Sequence, residues 1–519
     1  MTIAELFDLP FATLSECIRE HAIQQPQRAA VIHDQHELNY AELDALADRM
    51  AAALQRDGLR PGDALAICAT SSIEYVALFL GGLRAGGAVA PLAPSSTADS
   101  LAVMVADCGA RLFFIDAAVA DELEAAGSHI KAELITLDGT SGGRALADWL
   151  APVGAEPLPV TIAPDAAFNI IYSSGTTGAP KGIVQSHAMR WAHMQRAALS
   201  GYGTQSVTLI STPLYSNTTL VCLFPTLSSG GSVVLMAKFD AGQYLSLAQR
   251  YRATHTMLVP VQYQRLMAHP EFERHDLSSF QMKFCTSAPF GAALKADILK
   301  RWPGGLLEYY GMTEGGGTCM LAAHEHPDKL HTVGCPAPDH DVRLIDEEGS
   351  EVAPGATGEV VGHSAAMMNA YHNQPAKTAE AEWYDAAGKR FIRTGDIGRF
   401  DEDGFLILMD RKKDMVISGG FNVYPSDLEA VLQQHPQVAD VAVVGVASTR
   451  WGETPIAFAV RKPDTALTAD DLLAWANERL GKTQRLAAVE MVDSLPRSAI
   501  GKVLKRDLRD DFQRRGALA

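Results

Sequence analysis

The sequence predicts an α/β protein with a large N-terminal part and a smaller α+β C-terminal part, and three observations carry that expectation. From about residue 60, short runs of Val, Ile, Leu and Phe alternate with amphipathic helical stretches, the rhythm of βαβ units. After about residue 340 this gives way to short strands joined by turn residues such as Asp401-Glu-Asp-Gly404, the texture of antiparallel hairpins. The chain has 519 residues, enough for about three domains' worth of material.

Ala64–Thr70, Leu112–Asp116, Phe168–Ser173, Val207–Thr212, Ser232–Ala237, Thr256–Pro260 and Lys283–Thr286 read as buried strands. None alternates strictly, which suits parallel strands covered on both faces. Ile73–Ala85 and Ala241–Tyr251 read as helices between them. Asp341–Ile345, Gly358–His363, Phe391–Thr394 and Phe405–Asp410 form the hairpin region. The charged run Asp410-Arg-Lys-Lys-Asp414 reads as a linker, so the boundary is expected between a 1–411 domain and a 412–519 domain. Past it, Ser426-Asp-Leu-Glu429 has the form of a capping box, and Val438–Val446, Ile456–Val460 and a helix over Asp470–Leu480 follow.

At 47% hydrophobic and 20% charged residues the composition is globular, which excludes disordered, collagenous and coiled-coil chains. The most apolar stretch, Tyr75–Ala93, is interrupted by Arg84 and four glycines and reads as no membrane span. The start, MTIAELFDLP, carries an acid where a secretory signal needs a basic segment, so a cytoplasmic location is expected. A net charge of −17 argues against broad nucleic-acid binding. Toward the C-terminus, Arg497, Lys502, Lys505, Arg506, Arg509, Arg514 and Arg515 face only Asp507, Asp510 and Asp511. That excess is a solvated helix face or a contact for a polyanionic small molecule. The seven cysteines include no CxxC pair and no zinc-ligand spacing, and read as reduced structural thiols.

The densest chemical signal is Phe168-Asn-Ile-Ile-Tyr-Ser-Ser-Gly-Thr-Thr-Gly-Ala-Pro-Lys-Gly182. A strand runs into the hydroxyls of Ser173, Ser174, Thr176 and Thr177, the glycines Gly175 and Gly178, and Lys181. Glycines let backbone N–H groups approach an anion, hydroxyls donate to phosphate oxygens, and the lysine adds a point charge. It is not a Walker A loop, because Pro180 precedes the lysine and Gly182 follows it.

This segment resembles the phosphate-binding loop of the adenylate-forming superfamily, in its acyl- and aryl-CoA synthetase branch. Four further segments match family motifs in order: Tyr309-Tyr-Gly-Met-Thr-Glu314, Thr394-Gly-Asp396, Asp410-Arg-Lys-Lys-Asp414 and Pro496-Arg-Ser-Ala-Ile-Gly-Lys502. The resemblance implies a large N-terminal domain with a small antiparallel barrel-like region and a mobile C-terminal domain that rotates about Lys413. It also implies ATP, Mg²⁺ and coenzyme A. Glu314 corresponds to the Mg²⁺ ligand and Asp396 to the ribose-binding carboxylate. Tyr310 and Gly311 face adenine, Thr313 donates to the α-phosphate, and Arg411 reaches ribose or phosphates. Lys502 meets the α-phosphate and the substrate carboxylate, and Thr177 joins Lys502, Glu314 and Arg411 as a catalytic residue. Ser418, Gly419 and Gly420 match the loop lining the pantetheine tunnel, and Trp451-Gly-Glu453 matches a further motif nearby.

The residue types suit that chemistry. A carboxylate attacks the α-phosphate of ATP and pyrophosphate leaves, so cations and N–H donors are needed where anions meet. One departure stands out: Pro213-Leu-Tyr-Ser216 has a serine where the family often carries a gating histidine. Gly315-Gly-Gly317 lies on the segment that lines the family's acyl pocket and is expected to leave room for a ring or a long chain. The leading expectation is an AMP-forming acyl-CoA synthetase acting on a fatty, alicyclic or aromatic acid, with a homo-oligomer possible. An adenylation enzyme loading a carrier protein, a luciferase-like oxygenase and a non-catalytic sensor are the alternatives. The intact Lys181, Glu314, Asp396 and Lys502 argue against the sensor.

Overall fold

A computed structural model describes the chain except residues 1, 129, 140–141, 174–179, 197–199, 412–413, 419–420, 449–450, 482–483, 499–500 and 516–519, with backbone alone at 421–422. Contacts divide it into two compact units. The first comprises Met1–His331, Pro336–Asp341 and Gly362–Ile392; the second comprises Thr332–Cys335, Val342–Val361 and Arg393–Ala519.

Two sheets build the first unit. In one, the strands run in the order Cys319–Ala322, Gly305–Tyr310, Met282–Cys285, His255–Leu258, Val207–Ile210, Ser232–Leu235, Ala29–His33 and His36–Asn39. Its interior pairings are parallel and its two flanking hairpins antiparallel. The other sheet runs Ala370–Tyr371, Lys181–Ser186, Ala167–Ser173, Ala88–Pro91, Ala64–Cys68, Leu112–Ile115, Glu133–Thr136 and Arg144–Ala145. Ala64–Cys68, Ala88–Pro91, Leu112–Ile115, Ser232–Leu235 and His255–Leu258 are buried at every position, so both faces are covered, as their unbroken apolar runs predict. Helices Ile73–Arg84 and Asn217–Ser228 fill the core, where Phe79, Phe168 and Phe224 meet with ring centroids 5.1–5.9 Å apart. Among the described residues no helix is long and apolar enough to cross a membrane.

In the second unit, Leu406–Arg411 pairs antiparallel with the end of the long strand Arg390–Phe400, placing Arg411 opposite Asp396. Asp401 shapes the turn between them, its Oδ1 accepting the amides of Asp403 and Phe405. Phe421–Val423, Val416–Ser418, Gly452–Arg461, Val438–Ser448 and Ala488–Met491 form a further sheet, accompanied by helices Pro425–Leu432, Ala469–Arg479 and Lys505–Arg514.

The capping box expected at Ser426 is absent. Pro425 occupies the first helical position, so Ser426 already lies inside the helix, and the cap residue is Tyr424 with no side-chain bond. Glu429 turns instead to the Val443 amide (2.7 Å) and to Lys505 Nζ (2.8 Å). Phe391–Thr394 is also longer than expected, because the strand continues through Gly395 to Phe400.

Candidate active site

The Ser/Thr/Gly loop springs from a hairpin. Ala167–Ser173 and Lys181–Ser186 pair antiparallel with Ser173 opposite Lys181. Ser174, Gly175, Thr176, Thr177 and Gly178 lie outside the described residues. At the foot of the loop, Lys181 Nζ lies 5.1 Å from the centre of the Tyr371 ring, a cation–π contact. The same tyrosine donates its hydroxyl to Glu314 Oε1 at 2.8 Å. Burial, reinforced by Glu314, raises the Tyr371 hydroxyl far above its ordinary range, so it stays a donor at any working pH. Tyr371 thereby ties the Lys181 ammonium to the Glu314 carboxylate. A single carboxylate fits Mg²⁺, which keeps several waters, and among the described residues no cluster of three or more metal-ligating side chains competes with it.

Strand Gly305–Tyr310 delivers Tyr310, and the chain continues through Gly311 and Thr313 to Glu314. The Thr313 carbonyl accepts from Gln185 Nε2 at 2.6 Å, and the Glu314 carbonyl from the Met368 amide at 2.7 Å. Gln185 belongs to a buried polar cluster. Asn169 Nδ2 donates to its Oε1 (3.0 Å), Arg190 Nη2 donates to the same oxygen, and Arg190 also donates to Asn169 Oδ1 (3.0 and 3.1 Å). Arg190 lies over the rings of Phe168 and Phe224. Burial pulls its guanidinium down to about 9, still charged at neutral pH. Gly315 and Gly316 do not primarily make room for a ligand. Gly315 has φ +73° and a Cβ there would come within 1.9 Å of the Ala366 carbonyl oxygen, while one at Gly316 would come within 2.7 Å of the Gly362 oxygen. These glycines let two backbone segments touch.

In the second unit, the Thr394 hydroxyl accepts the Asp396 amide (3.0 Å) and donates to the Val360 carbonyl (2.9 Å), while Arg411 Nε lies 3.2 Å from Asp396 Oδ1. Lys502 closes a turn: the Ser498 amide donates to its carbonyl (2.8 Å) and its own amide to Ser498 Oγ (3.2 Å). Arg497 braces that turn through the Gly501 carbonyl (2.7 Å) and Asp440 (2.6 Å). Ser418 pairs with Phe421 and Gly452, and Glu453 accepts the Ile417 amide at 2.9 Å, so Gly452 and Glu453 lie beside strand Val416–Ser418. Gly419, Gly420 and Lys413 lie outside the described residues. Ser216 is buried and caps helix Asn217–Ser228 without a side-chain bond. All seven cysteines are free, six of them buried.

The first unit therefore brings together Lys181, Thr313 and Glu314, and the second Asp396 and Arg411. Sequence reading missed Tyr371, Gln185 and Arg190. None of the three carried a signal in its local sequence, since the strand Lys181–Ser186 and the helix His187–Gln195 hold other polar residues besides Gln185 and Arg190.

Comparison with known proteins gives the family. Residues 18–372 match the family described as AMP-binding enzyme, and residues 427–502 match the AMP-binding enzyme C-terminal domain. A feruloyl-CoA synthase of an Amycolatopsis species is 33% identical over 95% of this chain and 97% of its own. A fatty acid–acyl-carrier-protein ligase, ScoC of Streptomyces coeruleorubidus, is 32% identical over 96% of each chain. The crystal structure of ATP-bound MatB from Rhodopseudomonas palustris superposes with a TM-score of 0.87 at 29% identity, over 97% of this chain and 99% of its own. The chain belongs to the AMP-binding enzyme family, in its acyl-CoA synthetase branch of AMP-forming ligases that use ATP, Mg²⁺ and coenzyme A.

Proposed function

We propose that the chain activates an aromatic carboxylic acid as its acyl-adenylate and passes the acyl group to coenzyme A. The observation that carries the reading is the Lys181–Tyr371–Glu314 contact, which holds a cation and a carboxylate at the foot of the hydroxyl–glycine loop. Lys181 and the loop from Ser173 through Gly178 bind the β- and γ-phosphates of ATP. Tyr310 and Gly311 face adenine, Thr313 donates to the α-phosphate, and Asp396 accepts the ribose hydroxyls with Arg411 beside it. Glu314 holds Mg²⁺, which supplies charge neutralisation to the leaving pyrophosphate. Lys502 positions the substrate carboxylate against the α-phosphorus, a stabilisation felt mainly in the transition state. Thr177 donates to the phosphates as their charge shifts. The domain boundary is proposed at 411/412, Lys413 is the pivot, Ser418–Gly420 line the pantetheine path, and the enzyme works in the cytoplasm.

The feruloyl-CoA synthase relative supports an aromatic acid. The carrier-protein ligase relative supports a second reading, in which a carrier thiol replaces coenzyme A. A panel of aromatic, alicyclic and fatty acids assayed for ATP-dependent pyrophosphate release tests the first step. Adding free coenzyme A or a pantetheinylated carrier protein then separates the two acceptors. Failure of every acid to elicit pyrophosphate release would remove the adenylation reading, and thioester on the carrier alone would favour the second.

A further inference from the structure

The edge of the second sheet has two faces, and the reaction as derived uses one. Ala370–Tyr371, Lys181–Ser186 and Ala167–Ser173 lie side by side, with Tyr371 opposite Ile183, Ser173 opposite Lys181 and Tyr172 opposite Gly182. Side chains alternate along a strand, so Ser173, Lys181 and Tyr371 share one face while Tyr172, Gly182 and His372 share the other. The packing agrees. Ile183 and Tyr371 belong to one apolar cluster, whereas Ile170, Tyr172 and Val184 join Leu101, Met104 and Val105 of helix Ala98–Asp107 in another.

That helix ends in a residue its own dipole disfavours. Asp107 is the last helical position, where an acid meets the negative end of the aligned peptide groups. Its carboxylate has a partner on the sheet: the Tyr172 hydroxyl donates to Oδ2 at 2.6 Å. Burial, then the Asp107 carboxylate, pushes that hydroxyl far above its ordinary range, so it stays a donor. The Asp107 carbonyl, an end group the helix cannot satisfy, lies 3.1 Å from His372 Nε2 and accepts Asn373 Nδ2 at 3.2 Å. A carbonyl only accepts, so that ring nitrogen carries the proton. Tyr172 and His372 close over Gly182, where an added Cβ would come within 3.2 Å of each. Asp107 therefore holds both outer strands of this edge from behind, 65 residues along the chain from Tyr172 and 265 from His372.

We propose that Asp107 is a positioning residue for ATP: through the Tyr172 hydroxyl it fixes the back of the strand ends whose front presents Lys181 and Tyr371 to the β- and γ-phosphates. This rests on the proposed binding of those phosphates by Lys181 and deepens it. Tyr172 directly precedes Ser173, and its partner Gly182 directly follows Lys181, so the pinned hydroxyl sets where both strand ends point. Groups held in place before the ligand arrives lose less freedom on binding it. The bonds from the Asp107 carbonyl keep the helix docked when the carboxylate is removed, which separates positioning from folding.

The test needs no acid substrate. Dissociation constants for α,β-methylene-ATP and for AMP are measured by calorimetry with Mg²⁺ in the wild type, Lys181→Met, Tyr172→Phe, Asp107→Ala, Asp107→Asn and the Asp107→Ala/Tyr172→Phe double variant. Tyr172→Phe and Asp107→Ala should each weaken the triphosphate about 10-fold, the loss of one charge-assisted bond, and leave AMP within about 2-fold. The double variant should be no weaker than either single one, because both delete the same bond. Asp107→Asn, whose Oδ1 still accepts the hydroxyl, should recover most of the affinity. An equal loss for triphosphate and AMP would mark Asp107 as structural and overturn the proposal. So would additive losses in the double variant, or an Asp107→Asn no better than Asp107→Ala. If Lys181→Met alone weakens the triphosphate, the proposal falls and the phosphate reading stands. If Lys181→Met weakens neither nucleotide, both fall together.

Discussion

The two units hold their functional groups in different ways. In the first, support comes from far along the chain: Tyr371 reaches Glu314 across 57 residues, and Gln185 reaches Thr313 across 128. In the second, each functional residue has a local bond, Thr394 to Asp396 two residues on and Ser498 to Lys502 four residues on, and those turns are braced from farther away by Val360 and Asp440. A site supported by distant segments alone is sensitive to the fold around it, whereas one that also has a bond within its own turn keeps more of its shape when its surroundings change. The difference matches the labour proposed for each. In the proposed reading the first unit supplies the cradle for phosphate and metal, and the second supplies Asp396, Arg411 and Lys502.

Substitutions can break that contrast, beginning with the most severe. Gly315→Ala forces a Cβ against the Ala366 carbonyl at a positive φ, where neither backbone can yield cheaply. The expected cost is about 3–5 kcal/mol, read as a fall in urea midpoint together with loss of turnover. Near-normal stability would show that residues 362–366 do not fix the Glu314 segment. Gln185→Leu removes a partner from the buried Arg190 and leaves the Thr313 carbonyl without its donor, a loss of about 2–3 kcal/mol with a raised KM for ATP. If stability falls while KM is unmoved, the cluster serves the core alone.

Tyr371→Phe keeps the ring under Lys181 and deletes only the bond to Glu314. Turnover at limiting Mg²⁺ should fall about 10-fold and recover in part at high Mg²⁺. An unchanged magnesium dependence would separate Tyr371 from the metal. The mildest change is Thr394→Val, which costs about 1 kcal/mol and a few-fold in KM for ATP, without a change in the unfolding of the first unit. A large stability loss would show that the brace to Val360, rather than the local bond, carries the turn.

The same contrast explains what could be read from the chain beforehand. Parallel strands were legible because burial on both faces leaves an unbroken apolar run, as in Leu112–Ile115. Thr394-Gly-Asp396 and Pro496–Lys502 stand out in the sequence because residues that bond to one another there also sit close together along the chain. Tyr371 was invisible, since nothing near it hints that its hydroxyl meets Glu314. The Ser426 capping box failed because a proline one residue earlier claimed the helix start, a competition that spacing alone does not decide. The glycines at 315 and 316 were expected to make room for substrate, but contacts with residues 362–366 account for them.

The central claim is that one chain makes an acyl-adenylate and then a thioester, with Lys502 acting only in the first step. Two single-turnover measurements on Lys502→Ala test it: pyrophosphate release from ATP and acid, and thioester formation from synthetic acyl-AMP and coenzyme A. Loss of one transition-state charge predicts at least about a 100-fold fall in the first. The second should run close to the wild-type rate. An equal fall in both half-reactions would contradict a step-specific lysine and the two-step division of labour with it.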